Sequence, residues 1–245
     1  MNGPIGGLPA ISAHRGGSDY ARGGTYEAYR GALAAGAEYV EFDVRRTSDG
    51  ALVVFHRARA GWGRAVAAMS YARLCGLAGY QVPRMAEVMR LLAGRAVGHL
   101  DVKEPGRSAM IVARALEVLG PDGVIVTTGS GVVAASLKQR FPAVAVGLTV
   151  GGDMAETAGF MVRRARTPGL SRLHRVLSAA ADWAVVHHRQ ARTGVLEECR
   201  ARGIKTMVWT VNTDRALAHW LASPDVDVVV TDRPARAIAL RAQGR

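Results

Sequence analysis

The sequence has few of the residues from which disulfide frameworks, zinc clusters and stacked nucleic-acid interfaces are built. Its 245 residues include two cysteines, Cys75 and Cys199, which lie far apart without metal-type spacing, so we interpret both as buried free thiols. Aromatic residues make up 6% of the chain, and the arginines do not gather around them as they do where nucleic-acid bases stack. We therefore predict no nucleic-acid partner.

Long apolar runs and interdomain linkers are absent as well. No apolar stretch reaches the ~20 residues that a membrane-spanning helix needs. The opening residues, MNGPIGGLP, lack the basic and apolar regions of a secretion signal, so we expect a cytoplasmic protein. No Pro/Ser-rich or low-complexity tract divides the chain, which predicts one domain over residues 1–245.

Lysine is scarce, although the chain is strongly basic. Of 32 basic residues only three are lysine, and the formal net charge is +12. Such a charge attracts phosphate groups, nucleic acid or an acidic lipid surface. The many arginines, with abundant Ala, Gly and Val, are equally typical of a GC-rich genome, so the charge alone does not identify a partner.

What the sequence does contain is an alternation of short β-forming runs with longer amphipathic runs. Helices are predicted at residues 25–35, 85–92, 108–119, 132–140, 191–202, 214–221 and 234–241. Eight parallel strands are predicted at residues 10–14, 39–44, 97–102, 124–128, 145–149, 183–186, 206–211 and 226–231. Residues 52–55 follow a tight turn and are predicted to form the antiparallel half of a hairpin.

Eight strands alternating with helices in a chain of about 250 residues are typical of a (β/α)8 TIM barrel. The predicted fold is therefore an α/β, single-domain TIM barrel with a short β-hairpin insertion after the second strand. The alternative is a doubly wound open sheet. It is disfavoured because no glycine-rich dinucleotide fingerprint follows the first strand.

The second predicted strand carries two carboxylates on one face. Glu41 and Asp43 lie two residues apart, and their neighbours are apolar, as in a buried strand. Burying two carboxylates without a cation is costly, so either this strand is exposed or it binds something positive. If Thr47 and Gly50 close the following turn, His56 lies opposite Glu41.

Polar residues also follow several other predicted strands. Because TIM barrels place catalytic residues at the carboxyl ends of their strands, these residues are candidates for an active site. Each candidate also has an ordinary structural role open to it. His14 could be a strand-end histidine, Asp101 and Lys103 a structural ion pair, and Trp209 a core residue. The segment Thr231-Asp232-Arg233-Pro234 could be a helix N-cap.

Taken together, the ordered motifs resemble the glycerophosphodiester phosphodiesterase family. That family carries Ala-His-Arg-Gly, Glu-x-Asp-Val, Thr-x-Asp-Gly, a strand ending His-Asp, Glu-x-Lys, Trp-Thr-Val-Asn and Thr-Asp-x-Pro. Similar segments occur here at residues 13–16, 41–44, 47–50, 56–57, 101–103, 209–212 and 231–234. The resemblance extends from Ser12 to about Arg236, which is nearly the whole chain.

The resemblance implies a TIM-barrel enzyme that hydrolyses a small phosphodiester, with a glycerophosphodiester giving an alcohol and glycerol phosphate as the expected reaction. One divalent cation, Mg²⁺ or Ca²⁺, is implied, and such hard cations take oxygen ligands. The implied cation ligands are Glu41, Asp43 and Asp101.

The acid–base pair implied by the resemblance is His14, as the base, and His56, as the acid. Arg15 and Lys103 would hold the phosphoryl oxygens, and Trp209 is predicted to contact the substrate.

Three segments depart from the family pattern. Gly23-Gly24-Thr25 keeps only the threonine of a Pro-Glu-Asn-Thr segment whose glutamate supports the metal site. Asp101 replaces a glutamate and reaches one methylene less. Arg57 replaces an aspartate that would orient the His56 imidazole. These changes indicate a different diester or a weakened enzyme.

Two alternatives stay open. One is a phospholipase D- or C-like barrel acting on a phospholipid or lysophospholipid, in which the arginine-rich residues 161–175 contact an anionic membrane; a solvated basic helix and loop explains the same residues. The other is a degenerate barrel that binds a phosphorylated ligand without turnover. The retained acids, histidines and lysine argue against the latter, and the sequence indicates no oligomeric state.

Overall fold

The computed structural model describes residues 7–61, 63–151 and 169–244. The strands in these ranges are β1 Ala10–Ala13, β2 Tyr39–Arg46, β3 Leu52–Val54, β4 Arg59–Ala60, β5 Arg64–Ala65, β6 Val97–Val102, β7 Val124–Thr128, β8 Ala145–Val150, β9 Trp183–His187, β10 Lys205–Trp209 and β11 Val228–Thr231. The helices are α1 Tyr26–Ala35, α2 Tyr71–Ala78, α3 Met85–Leu92, α4 Ser108–Leu119, α5 Gly131–Arg140, α6 Gly169–Ser178, α7 Val195–Ala201, α8 Asp214–Leu221 and α9 Pro234–Gln243.

Eight of the strands form one closed parallel barrel. Neighbours in the sheet run in the order β1, β11, β10, β9, β8, β7, β6, β2, and β1 also pairs with β2, which closes the ring. β3 adds antiparallel to β2. The predicted TIM barrel with a hairpin after its second strand is therefore confirmed.

The insertion after β2 is longer than the predicted hairpin. After β3 the chain forms the small β4–β5 sheet and then α2, which was not predicted. A separate apolar cluster holds this segment together, with Val53, Met69 and Leu74 completely or almost completely buried. Signals for α2 were present, since Ser70 caps its first turn and Gly79 ends it in a left-handed conformation.

The predicted turn register between β2 and β3 is wrong by one residue. Val44 lies opposite Val54, and the Thr47 amide donates to the Ala51 carbonyl at 3.0 Å, so His56 does not lie opposite Glu41. The turn is held by the Thr47 side chain, which accepts from the Ala51 amide at 3.1 Å. Three residues rather than two form the loop, which suits a glycine with positive φ at its last position.

The barrel interior changes from apolar to polar toward the carboxyl ends of the strands. Alternate residues of each strand point inward, so Tyr39, Glu41 and Asp43 share one face of β2. Tyr39 belongs to an apolar cluster with inward residues of other strands, including Val97 and Trp183. This apolar layer lies below the carboxylates and separates them from the amino-terminal end of the barrel.

Outside the barrel, the apolar sides of the helices pack against the sheet in one large cluster. Burial of each fully enclosed Leu, Ile, Val or Phe side chain stabilises the fold by about 1.5–3 kcal/mol. None of the helices in the described ranges has the length and apolar character needed to cross a bilayer. Of the arginine-rich residues 161–175, those at 161–168 lie outside the described ranges, so the predicted membrane contact is not tested there.

Candidate active site

The three predicted acids meet at the carboxyl end of neighbouring strands. Glu41 and Asp43 come from β2, and Asp101 comes from β6, where it pairs in register with Asp43. One oxygen from each carboxylate lies within 4.8 Å of the other two. Glu41 and Asp43 are only 4% and 2% exposed, so their charges need compensation.

Two basic residues provide part of that compensation. Lys103 Nζ lies 2.6 Å from Asp101 Oδ2 and 3.2 Å from Asp43 Oδ1. Arg15 Nε lies 3.4 Å from Asp43 Oδ2, and the Arg15 backbone amide donates to Glu41 Oε2 at 2.7 Å. Three formal negative charges against two positive ones leave the cluster one negative charge, so these oxygens suit a hard cation.

Burial and neighbouring charges push the protonation equilibria of the cluster in different directions. Burial, followed by the charges of Asp43 and Asp101, raises the pKa of Glu41 well above its ordinary value. Burial would also raise the pKa of Asp43, but Lys103, His56 and Arg15 outweigh it and hold that pKa below its usual range. Burial opposes the charged form of Lys103, yet Asp101 and Asp43 raise its pKa. Lys103 is therefore a permanent positive charge beside the acids.

His14 is held by a carboxylate from the last barrel strand. It begins a single 3-10 turn after β1, and its Nδ1 lies 2.7 Å from Asp232 Oδ1. Burial raises the pKa of Asp232, but hydrogen bonding and charge from His14, with help from Asn212, lower it overall. An ionised carboxylate can only accept, so Nδ1 carries the proton of the neutral ring and Nε2 is the nitrogen with the lone pair.

The Thr-Asp-Arg-Pro segment leads into α9 with Pro234 at its first position, as predicted, but none of its side chains caps the helix. The N-cap residue of α9 is Arg233, and it makes no side-chain cap bond. Asp232 instead accepts from Asn212 Nδ2 at 2.5 Å, while the Asp232 amide donates to Asn212 Oδ1 at 2.9 Å. Asn212, three residues after the end of β10, thus positions Asp232, whose segment was an active-site candidate but which was given no catalytic or binding role from the sequence. The polar residue Asn212, directly after Trp-Thr-Val, was the sequence feature that could have indicated a partner for Asp232.

His56 is held by one of the acids themselves. Its Nδ1 lies 3.0 Å from Asp43 Oδ2. Arg57, which replaces the expected orienting aspartate, is exposed to solvent. The loss of that aspartate therefore leaves the His56 imidazole with a carboxylate partner of its own.

Trp209 lies at the end of β10, half-buried, and its ring is nearly perpendicular to that of His187, with the ring centres 5.2 Å apart. Its indole Nε1 is buried and has no hydrogen-bond partner among the described residues. A buried unsatisfied donor is costly, so this atom is a candidate contact for a ligand. The packing contact with His187 also agrees with the ordinary core role.

Sequence comparison identifies the family. A sequence model of the glycerophosphoryl diester phosphodiesterase family matches residues 14–90 and 94–236. This chain belongs to that family. It is 23% identical over 256 residues to the glycerophosphodiester phosphodiesterase of Caldanaerobacter subterraneus subsp. tengcongensis, with 96% of this chain and 98% of the relative covered. The match begins at His14 and ends at Arg236, so it contains every residue of the site.

Solved structures agree on the fold. The glycerophosphodiester phosphodiesterase of Thermotoga maritima has a TM-score of 0.74 and 21% identity, covering 97% of this chain and 98% of its own. A phosphodiesterase of Oleispira antarctica, solved with its product sn-glycerol-3-phosphate, has a TM-score of 0.74 and 21% identity, covering 95% and 96%. Membership of the family makes this chain a phosphoric diester hydrolase.

Two departures from the family pattern can be located in the structure. Asp101 brings a carboxylate oxygen within 4.8 Å of the other two acids from a β6 strand in regular register with β2. A Cβ at Gly23 would meet only ordinary contacts, at 3.4 Å from the Gly17 carbonyl and 3.6 Å from Arg15. A larger side chain would therefore fit at position 23, and lack of space does not explain the glycine there.

Proposed function

We propose that this chain hydrolyses a glycerophosphodiester to an alcohol and glycerol phosphate with the help of one divalent cation, Mg²⁺ or Ca²⁺. The observation that carries the proposal is the pair of histidines, His14 and His56. Each has Nδ1 within 3.0 Å of a carboxylate, beside a cluster of three acids. The histidine pair suits proton transfer, and the carboxylate oxygens suit a hard cation.

Glu41, Asp43 and Asp101 would hold the cation. When bound there, it supplies Lewis-acid polarisation of the phosphoryl group and neutralises developing charge. Ligation by a cation favours the ionised form of Glu41, whose pKa burial otherwise raises. The donor set contains no nitrogen or sulfur from these three residues, which agrees with Mg²⁺ or Ca²⁺ rather than a softer metal.

His14 acts as the base at Nε2 and removes a proton from the attacking oxygen, which belongs to water or to a neighbouring substrate hydroxyl. A new P–O bond forms, and the bond from phosphorus to the alcohol oxygen breaks. Attack by water gives glycerol phosphate directly, whereas attack by a substrate hydroxyl gives a cyclic phosphate that a water molecule then opens to glycerol phosphate. His56 donates a proton to the leaving alkoxide. Asp232 and Asp43 stabilise the imidazolium forms of the two rings, and Lys103 and Arg15 bind the phosphoryl oxygens.

The test uses protein treated with EDTA and two diesters, glycerophosphocholine and bis-p-nitrophenyl phosphate. Hydrolysis should return as Mg²⁺ or Ca²⁺ is added back. His14→Ala and His56→Ala should lose most turnover and still bind the cation. Full activity in either variant, or an unchanged rate in EDTA, contradicts the mechanism. Cation binding without hydrolysis of any diester favours the degenerate barrel instead.

A further inference from the structure

A cavity of about 510 Å³ is present on the side of the barrel formed by β9 and β10. It lies between the segment after β9 and the start of α8. None of the acids or histidines assigned above to the active site lines it. The residues that matter for its chemistry are His188, Arg189, Arg192, Thr213, Arg215 and His219.

The cavity has an uncompensated positive charge. In residues 7–61, 63–151 and 169–244, no carboxylate lies within 4.0 Å of the guanidinium groups of Arg189, Arg192 or Arg215, all of which are exposed. The cavity lining contains no acid. Three arginines at one concave surface repel one another unless an anion lies among them.

Nearby carboxylates are held away from the cavity by other arginines. Asp214, at the first position of α8, binds Arg233 at 2.9 Å and Arg236 at 2.6 Å. Glu198 of α7 pairs with Arg202. Asp214 and Glu198 are therefore engaged elsewhere, and the arginines facing the cavity keep their charge.

The placement of Arg215 strengthens this inference. It lies in the first turn of α8, where the helix dipole is positive and an acidic side chain is the favourable choice. The guanidinium of Arg192 lies 5.9 Å from the centre of the Trp220 ring, a contact that positions it on the other wall. Burial lowers the pKa of His188, and the charges of Arg189 and Arg192 lower it further against an opposing hydrogen bond to the Trp209 backbone.

We propose that this cavity binds the phosphate group of a phosphorylated organic compound, at a site separate from the acid cluster. Arginine forks match phosphate oxygens in geometry as well as charge. A volume of about 510 Å³ lies in the range of small-molecule sites, so there is room for an organic group beyond the phosphate. The compound is either a substrate whose alcohol carries a second phosphate, or a free phosphomonoester.

Binding is tested without catalysis, so its result does not depend on the proposed function. Isothermal titration calorimetry with inorganic phosphate is carried out in EDTA, so that no cation draws the probe to the acid cluster, and any phosphate bound there by Lys103 and Arg15 is common to all the proteins compared. The cavity variant is Arg192→Gln with Arg215→Gln. The control is Arg64→Gln with Arg73→Gln, which removes the same charge from exposed positions on β5 and α2.

The wild type and the control should bind phosphate alike, and the cavity variant at least about tenfold more weakly, since charge-assisted hydrogen bonds are lost. Absence of binding to the wild type overturns the proposal. Equal weakening in both variants overturns it too, because that result indicates only non-specific attraction to net charge.

Kinetics then distinguish the two sources of phosphate, and this arm rests on the proposed function. If the bound phosphate belongs to the substrate, the cavity variant should have a KM about tenfold higher for a glycerophosphodiester whose alcohol is phosphorylated. Its KM for glycerophosphocholine should be unchanged. If a free phosphomonoester is the ligand, added glycerol 3-phosphate should inhibit the wild type more than the variant. An equal loss of kcat/KM for both substrates contradicts a separate site.

Discussion

The imidazole of His14 and the carboxylate of Asp232 lie 2.7 Å apart, although 218 residues separate them in the chain. The contact joins the first barrel strand to the last at the point where the barrel closes, since β1 pairs with β11. Asn212, three residues after β10, donates to the other oxygen of the same carboxylate. The His14 imidazole, the proposed base, is therefore oriented only when the barrel closes.

Asp232→Asn should lower kcat by about 10²-fold with little change in KM. The amide keeps the shape but no longer stabilises positive charge on His14, and it can present a donor to Nδ1 and select the wrong tautomer. Steady-state kinetics across pH measures the effect.

Asp225→Asn is the matched control, because Asp225 precedes β11 and so lies at the opposite end of the barrel. It should leave kcat unchanged. Equal activity in Asp232→Asn and the parent protein would show that Asp232 has only a structural role.

Lys103→Met should bind a divalent cation more tightly, by about tenfold, and yet turn over more slowly. Removing the ammonium from between Asp43 and Asp101 removes a like charge next to the cation, whereas the phosphoryl oxygens lose a partner. Calorimetric titration with Mn²⁺ and kcat measured at saturating cation test the two effects separately.

Lys138→Met serves as the comparison, since Lys138 pairs with Asp182, which precedes β9 at the other end of the barrel. Its cation affinity and kcat should match the parent protein. Weaker cation binding in Lys103→Met would mean that the lysine organises the acids instead of competing with the cation.

The local patterns of the sequence were sufficient for the barrel and for the pair Glu41 and Asp43. Alternation of side chains along β2 places these two acids on one face before any coordinates, whereas Asp101 was added to them through the family resemblance. The pairing of His14 with Asp232 could not be predicted in this way. Thr-Asp-Arg-Pro fits a helix start equally well, and the choice depends on which strands become neighbours when the barrel closes.

Some predicted ends of strands and helices differ from the observed ones near the mouth of the barrel. β10 was predicted to reach Val211 but ends at Trp209, although the Val211 amide still donates to the Val230 carbonyl of the neighbouring strand β11 at 2.9 Å. α7 was predicted from residue 191 but begins at Val195, after Gly194 with φ of 77°. Both breaks lie beside the mouth of the barrel, where the chain turns to present side chains.

Gly16→Ala should destabilise the protein by about 2–4 kcal/mol, and Gly24→Ala by only about 1 kcal/mol. Both glycines have φ near 80°, so the conformational cost is alike. A Cβ at Gly16 would lie 2.9 Å from the backbone of Ala28 and Tyr29, whereas a Cβ at Gly24 meets nothing within 4 Å. Urea unfolding of the two variants therefore isolates the steric cost of packing the loop after β1 against α1; equal losses would contradict that packing.

His99 should make the protein lose stability as the pH falls below 6.5. It lies inside the barrel between Ser12 Oγ at 3.0 Å and Thr127 Oγ1 at 3.1 Å, and it is 3% exposed. Burial, and then the charge of His14, lower the pKa of His99 from 6.5 to about 3, with Lys103 adding to the effect and Asp43 opposing it. Between these pH values the unfolded chain binds a proton that the folded chain does not. Stability therefore falls with decreasing pH by about 1.4 kcal/mol per pH unit from this residue.

His99→Gln removes that dependence, because glutamine is neutral and its amide can bond to both hydroxyls. Urea unfolding in EDTA at pH 7, 6, 5 and 4 measures the free energy of unfolding of the variant and the parent. Glu41, whose raised pKa acts in the opposite direction, is present in both proteins and cancels in the difference. The difference should therefore change by about 1.4 kcal/mol for each pH unit below 6.5, and parallel curves would show that His99 accepts a proton within the folded barrel.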